Sequence, residues 1–162
     1  MLVGEQIEVS TPREAVWEMI SDPGRMLYFM AGITRWEVVG DQRQGRGARY
    51  RMLMRVGSAE VGGLVEVVES KAPSDLAWTS VTGLDQRVRW RLRERPHGRT
   101  RVELRISYGV AGAGVGGWIA EHVAAPAVRT NLRRSLHQLK RQVEQEQLRA
   151  LAAQRRTAHA SA

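Results

Sequence analysis

Side chains able to do acid–base, nucleophilic or metal chemistry are few and scattered along this 162-residue sequence. It holds four histidines and no cysteine, so a disulfide framework, a thiolate metal site and a thiol nucleophile are all excluded. His97 falls in a turn, His122 and His137 in a helical segment and His159 near the C-terminus. No two stand at the i, i+4 spacing of a helical zinc pair. No metal and no other cofactor is expected. A Gly-x-Ser-x-Gly elbow is absent. The glycine-rich stretch VAGAGVGGW, residues 110 to 118, has no parallel strand after it and reads as a strand-to-helix hinge rather than a dinucleotide loop. Candidates for proton transfer reduce to Tyr28, Tyr50, Tyr108, His122 and Glu66, with no nucleophile and base paired in the sequence. No catalytic residue is assigned.

A second set has the chemistry of a binding wall. Met52, Met54, Trp90 and Tyr108 fall on the apolar rows of alternating segments, Trp78 lies in another such segment, and Trp118 with His122 opens a long helical stretch. Each taken singly is an ordinary core residue. Together with Tyr28 they form a candidate ligand-binding set, because methionine and tryptophan make adaptable contacts with flat or lipid-like molecules. Tyr108 or His122 could add a hydrogen bond to an oxygenated ligand.

The elements that must position these residues are legible from periodicity. IEVS, residues 7 to 10, reads as a strand, and Thr11-Pro12 as a helix start with Thr11 capping and Pro12 in the first turn. The short helix PREAVWEMIS stops at Asp22-Pro23-Gly24, and a second small helical turn follows through Arg25 to Met30. Period-two runs then occupy about 33 to 39, 47 to 56, 59 to 70, 75 to 82, 86 to 95 and 100 to 109, separated by short turns. Consecutive strands should pair antiparallel, with one face wet and one covered. In QRVRWRLRER, residues 86 to 95, the rows are explicit: Arg87, Arg89, Arg91 and Arg93 outward, Val88, Trp90 and Leu92 inward. Ile119, Val123, Ala127, Leu132, Leu136, Leu139 and Val143 then supply the stripe of a long covering helix, with a kink expected at Pro126.

That order, a strand, a helical corner, six strands and one long C-terminal helix, resembles the helix-grip fold of the START-like, SRPBCC superfamily, in its polyketide cyclase/dehydrase branch. IEVSTPREAVWEMISDPGRM, ITRWEVVGDQRQGRGARYRM and PAVRTNLRRSLHQLKRQVEQE carry the resemblance in sequence order. It implies an α+β domain over residues 1 to 147, with a seven-stranded curved antiparallel sheet wrapped on the C-terminal helix and two short helices after the first strand. It also implies a cavity between sheet and helix. Residues 148 to 162 are expected to form a basic, frayed or disordered tail. On this scaffold the leading expectation is binding, storage, transport or sensing of a lipid or polyketide. A polyketide cyclase or aromatase is the alternative.

Net charge is +8 with a pI near 11.1, which raises the question of an anionic partner. From Arg129 to Arg156 eight cations face two carboxylates, a net of +6. A weak contact with RNA, a ribosome or an acidic membrane through Arg129, Arg133, Arg134, Lys140 and Arg141 is therefore a third reading, and no specific nucleic acid is expected. No apolar run reaches the roughly 20 residues of a membrane helix. MLVGEQIEV carries no secretory signal. A cytoplasmic monomer or homodimer is expected.

Overall fold

Residues that alternate between apolar and charged leave every strand with one face to bury, and six such strands in succession satisfy each other's backbone groups as a meander. The computed structural model describes the backbone of residues 1–109 and 115–162, and the side chains of 1–55, 57–109 and 125–162. In chain order it contains β1 (Leu2–Val9), α1 (Arg13–Ser21), α2 (Met26–Phe29), β2 (Ile33–Val39), β3 (Arg49–Val56), β4 (Ala59–Lys71), β5 (Asp75–Ser80), β6 (Asp85–Arg95), β7 (Arg99–Gly109) and α3 (Val115–Ala160). The sheet order is β1-β7-β6-β5-β4-β3-β2, antiparallel throughout. β1 is longer than expected and starts at Leu2, because pairing with β7 runs from Leu2 opposite Ser107 to Val9 opposite Thr100.

Register carries the core across the strands. Val3 pairs with Ile106, Ile106 with Val88, Val88 with Trp78 and Trp78 with Val67, so one buried row crosses five strands. A bulge between Val67 and Glu69 inserts one extra residue into β4. Without it Glu69 would follow Val65 and Val67 onto the covered face; the added residue turns it to the wet face. There its carboxylate lies 3.1 Å from Arg89.

β4 also passes its neighbours very closely. A Cβ on Gly62 would collide with the Met52 carbonyl oxygen, and one on Gly63 with that of Thr82. Gly62→Ala should therefore cost about 1–3 kcal/mol through forced displacement of β3. A urea midpoint unchanged from the parent protein would contradict this.

Two helix ends depart from expectation. Pro12 occupies the N-cap of α1, with no side-chain capping bond. Thr11 does not cap: its hydroxyl is buried without a partner, while its carbonyl accepts a 2.7 Å hydrogen bond from Thr100 Oγ1. The fold uses Thr11 to tie the strand-to-helix corner to β7. At the other end of the chain, α3 continues through residues expected as a frayed tail and stays helical to Ala160. Leu, Ala, Arg and Gln are strong helix formers, so the backbone remains helical after the buried stripe ends at Val143. Every residue from Leu148 onward is exposed. α3 is continuous through Pro126 and packs its Leu132, Leu136, Leu139 and Val143 face against β1, β7, β3 and the α1–α2 corner.

Candidate functional site

Between sheet and α3 the described residues border a small, partly enclosed space of about 30 Å³, roughly one water molecule's worth. Met30 and Ile33 reach it from the helical corner and β2, Met52 and Met54 from β3, Trp78 and Val88 from β5 and β6, and Val128 and Leu132 from α3. Polar groups at its edge are Gln86, Asn131 and Ser135. Gln86 is 3% exposed, and its Nε2 donates to Met52 Sδ at 3.5 Å. Ser135 Oγ donates to the Asn131 carbonyl and accepts from the Ala31 amide, fixing α3 against the corner. No Arg, Lys, Asp or Glu is among the described lining residues.

Behind Trp78 lies a second small, partly enclosed space of about 20 Å³, under α1, where Trp36, Tyr50, Ser70, Ser21 and Met26 meet. Trp78 borders both spaces. Trp36 stacks on Tyr50 with ring centroids 4.9 Å apart and meets Trp78 edge-on at 5.2 Å. The Tyr50 hydroxyl donates to the Arg43 carbonyl. Burial pushes the Tyr50 phenol above its ordinary pKa; the Arg43 charge opposes this and Asp22 adds to it. Two larger depressions, about 520 Å³ beside β1 and about 430 Å³ between Gly57 and Arg134, are open to solvent and bordered by charged side chains. They lack the apolar enclosure that ligand burial needs.

The structure thus brings Met52, Met54 and Trp78 together at one space. Trp90 is fully buried but borders neither enclosed space; it packs edge-on against Phe29 at 5.8 Å beneath α2. Tyr28 stands 64% exposed, because on so short a helix Met26 and Phe29 take the inward positions. Tyr108 is buried near the chain start, where its carbonyl accepts from the Met1 amino group and its hydroxyl lies 3.5 Å from Met1 Sδ. Glu66 lies on the wet face, 2.9 Å from Arg49. The side chains of Trp118 and His122, and residues 110–114 of the glycine-rich stretch, lie outside the described residues. Sequence reasoning missed Trp36, Met30 and Gln86. Trp36 sits on the inward parity of β2 and could have been found; Met30 depends on how the corner folds back.

The basic surfaces are partly neutralised. Arg89, Arg91 and Arg93 converge on Asp75 at 3.8, 3.8 and 3.1 Å. On α3, Arg129 and Arg133 reach Glu5, and Lys140 reaches Glu144 and the Glu8 carbonyl. Arg134 and Arg141 have no carboxylate within ion-pair distance among the described residues. Among the described residues there is no cluster suited to a metal ion, and no helix long and apolar enough to cross a membrane.

A curved antiparallel sheet closed by one long C-terminal helix, with an apolar space between them, is the helix-grip architecture. The chain belongs to the polyketide cyclase / dehydrase and lipid transport family, whose model matches residues 2–144. A sequence search of curated proteins finds no match. Among solved structures, the fold is similar to TTHA0849 from Thermus thermophilus, with TM-score 0.75 and 18% identity over 88% of this chain and 97% of that one. It is equally similar to the Zhui aromatase/cyclase from Streptomyces sp. R1128, with TM-score 0.75 and 18% identity over 89% and 93%. DR_A0006 from Deinococcus radiodurans gives 0.67 and 18% over 90% and 99%.

Proposed function

We propose that this protein binds a hydrophobic small molecule, a lipid or a polyketide, between the sheet and α3, for storage, transport or sensing. The carrying observation is the wall itself: Met30, Met52 and Met54 ring an enclosed space with Trp78 and no charged side chain among the described lining residues. Three rotatable bonds per methionine let such a wall change shape around a ligand. The existing 30 Å³ is far below the roughly 300 Å³ of an ordinary ligand pocket, so binding must widen it.

N-phenyl-1-naphthylamine, a neutral apolar fluorophore, should brighten on addition of the protein. In Val128→Trp, whose added volume exceeds the space that Val128 borders, the enhancement should shrink and the apparent affinity from titration should fall about tenfold or more, the equivalent of about 1.4 kcal/mol. Circular dichroism and urea unfolding check that the variant is folded. No enhancement with the parent protein, or an equal one in a folded variant, would sink the binding reading.

A polyketide cyclase acting in the same interior is the second reading, favoured by one residue: Tyr50, whose phenol has its pKa raised by burial, borders the space behind Trp78. Native mass spectrometry of protein from its own source separates the two. A co-purifying lipid supports the carrier; an empty protein that turns over a polyketide supports the enzyme.

A further inference from the structure

Trp36 and Trp78 are 7% and 1% exposed, and the indole N–H of each is buried with no hydrogen-bond partner. A buried donor left unpaired costs about 1–3 kcal/mol, and the two tryptophans that carry these donors both border one small space. Their ring centroids lie 5.2 Å apart, and a carbonyl oxygen has two lone pairs with which to accept from two donors. We propose that the space behind Trp78 is the polar end of the ligand site, where a neutral carbonyl oxygen is held by the Trp36 and Trp78 indole N–H groups. The proposal rests on the binding reading above and names its ligand class: a molecule with an apolar body and a ketone, quinone or ester carbonyl at one end.

Three observations narrow the chemistry. Both groups can only donate, so the ligand must present an acceptor. No arginine or lysine is among the described residues lining this space, so a carboxylate would be buried without a counter-charge, which is far costlier than burying a neutral carbonyl. Trp78 also borders the methionine-lined space, so an apolar body held among Met30, Met52 and Met54 would adjoin this polar end. The third buried indole without a partner, that of Trp90, borders neither space and takes no part.

The test compares 1-indanone with indane, which differ by a carbonyl in place of a methylene, by ¹H–¹⁵N and methionine-methyl NMR on the full chain. Indanone should move the Trp36 and Trp78 Nε1–H resonances downfield; indane should perturb the Met30, Met52 and Met54 methyls and leave those indoles in place. Trp36→Phe should weaken indanone binding about 2- to 10-fold, the effect of one net hydrogen bond, with little change for indane because Trp36 does not border the methionine-lined space; Trp78→Phe, which also alters that wall, should weaken indanone binding more than indane binding. If both compounds perturb the methyls equally and neither moves the indoles, the carbonyl anchor is wrong while the binding reading stands. The anchor is equally wrong if the two N–H groups show cross-peaks to a long-lived water that indanone does not displace. If neither compound shifts any of these resonances, the binding reading fails for flat apolar ligands and the anchor fails with it.

Discussion

Trp90→Ala should lower the free energy of unfolding by about 3–5 kcal/mol, the usual loss for truncating a large buried aromatic. Trp90 is completely buried in the middle of β6, paired with Leu76 on one side and Leu104 on the other, and its ring meets Phe29 edge-on. These partners belong to two other strands and to α2, so no single element can relax into the gap and most of the cavity should persist. For a domain of ordinary stability, about 5–15 kcal/mol, that is a large fraction of the total. Trp90→Phe keeps the edge-on contact and should recover much of the loss. Equilibrium urea unfolding of both variants measures it. Because Trp90 borders neither enclosed space, ligand affinity in Trp90→Phe should match the parent; a variant that is stable but binds weakly would return Trp90 to the site.

Asp75→Asn should cost about 1.5–3 kcal/mol at neutral pH, the range for hydrogen bonds to a charged group. Asp75 accepts two bonds from Arg93, at 3.1 and 3.3 Å, and lies 3.8 Å from both Arg89 and Arg91. Its removal leaves a run of alternate arginines on one strand face repelling one another, with Arg89 opposite Arg105 and Arg93 opposite Arg101 on β7. The arginines are about a third to a half exposed, so water softens the loss and keeps it below that of a fully buried pair.

The same carboxylate makes stability depend on pH. Burial alone would raise the Asp75 pKa, but hydrogen bonds from Arg93 and Ser74 and the charges of Arg93 and Arg89 outweigh it, and the net shift is downward. A group whose pKa is lower folded than unfolded contributes its stability above the ordinary aspartate pKa near 3.8. That contribution is lost as pH falls through the folded value. The gap in unfolding free energy between the parent protein and Asp75→Asn should therefore be full at pH 6–7 and shrink below about pH 4. A gap that stays constant into acid would show that Asp75 gains nothing from its arginines.

How far the site could be read in advance differs by residue. Met52, Met54 and Trp78 were legible because a strand has period two: once one neighbour is known to be buried, parity assigns the rest. The same rule placed Trp90 inward correctly but could not say whether inward meant core or cavity. That distinction depends on what lies above it, and Phe29 arrives from a separate element. Tyr28 was misjudged for a related reason, since a four-residue helix has no stripe from which to read a face. Glu69 shows the limit of parity, because one bulge reverses it.

By itself, then, the sequence determined the order and type of the elements, the antiparallel pairing of neighbours and the wet and covered faces. These follow from local periodicity and turn chemistry, which act over a few residues. Tertiary structure alone decided which covered residues border empty space, that Asp75 gathers three arginines, and that Trp36 and Trp78, whose indole donors are unpaired, border one space. Each of these depends on distances between segments far apart in the chain, set by bulges, close glycine approaches and the seat of α3, none of which has a local signature.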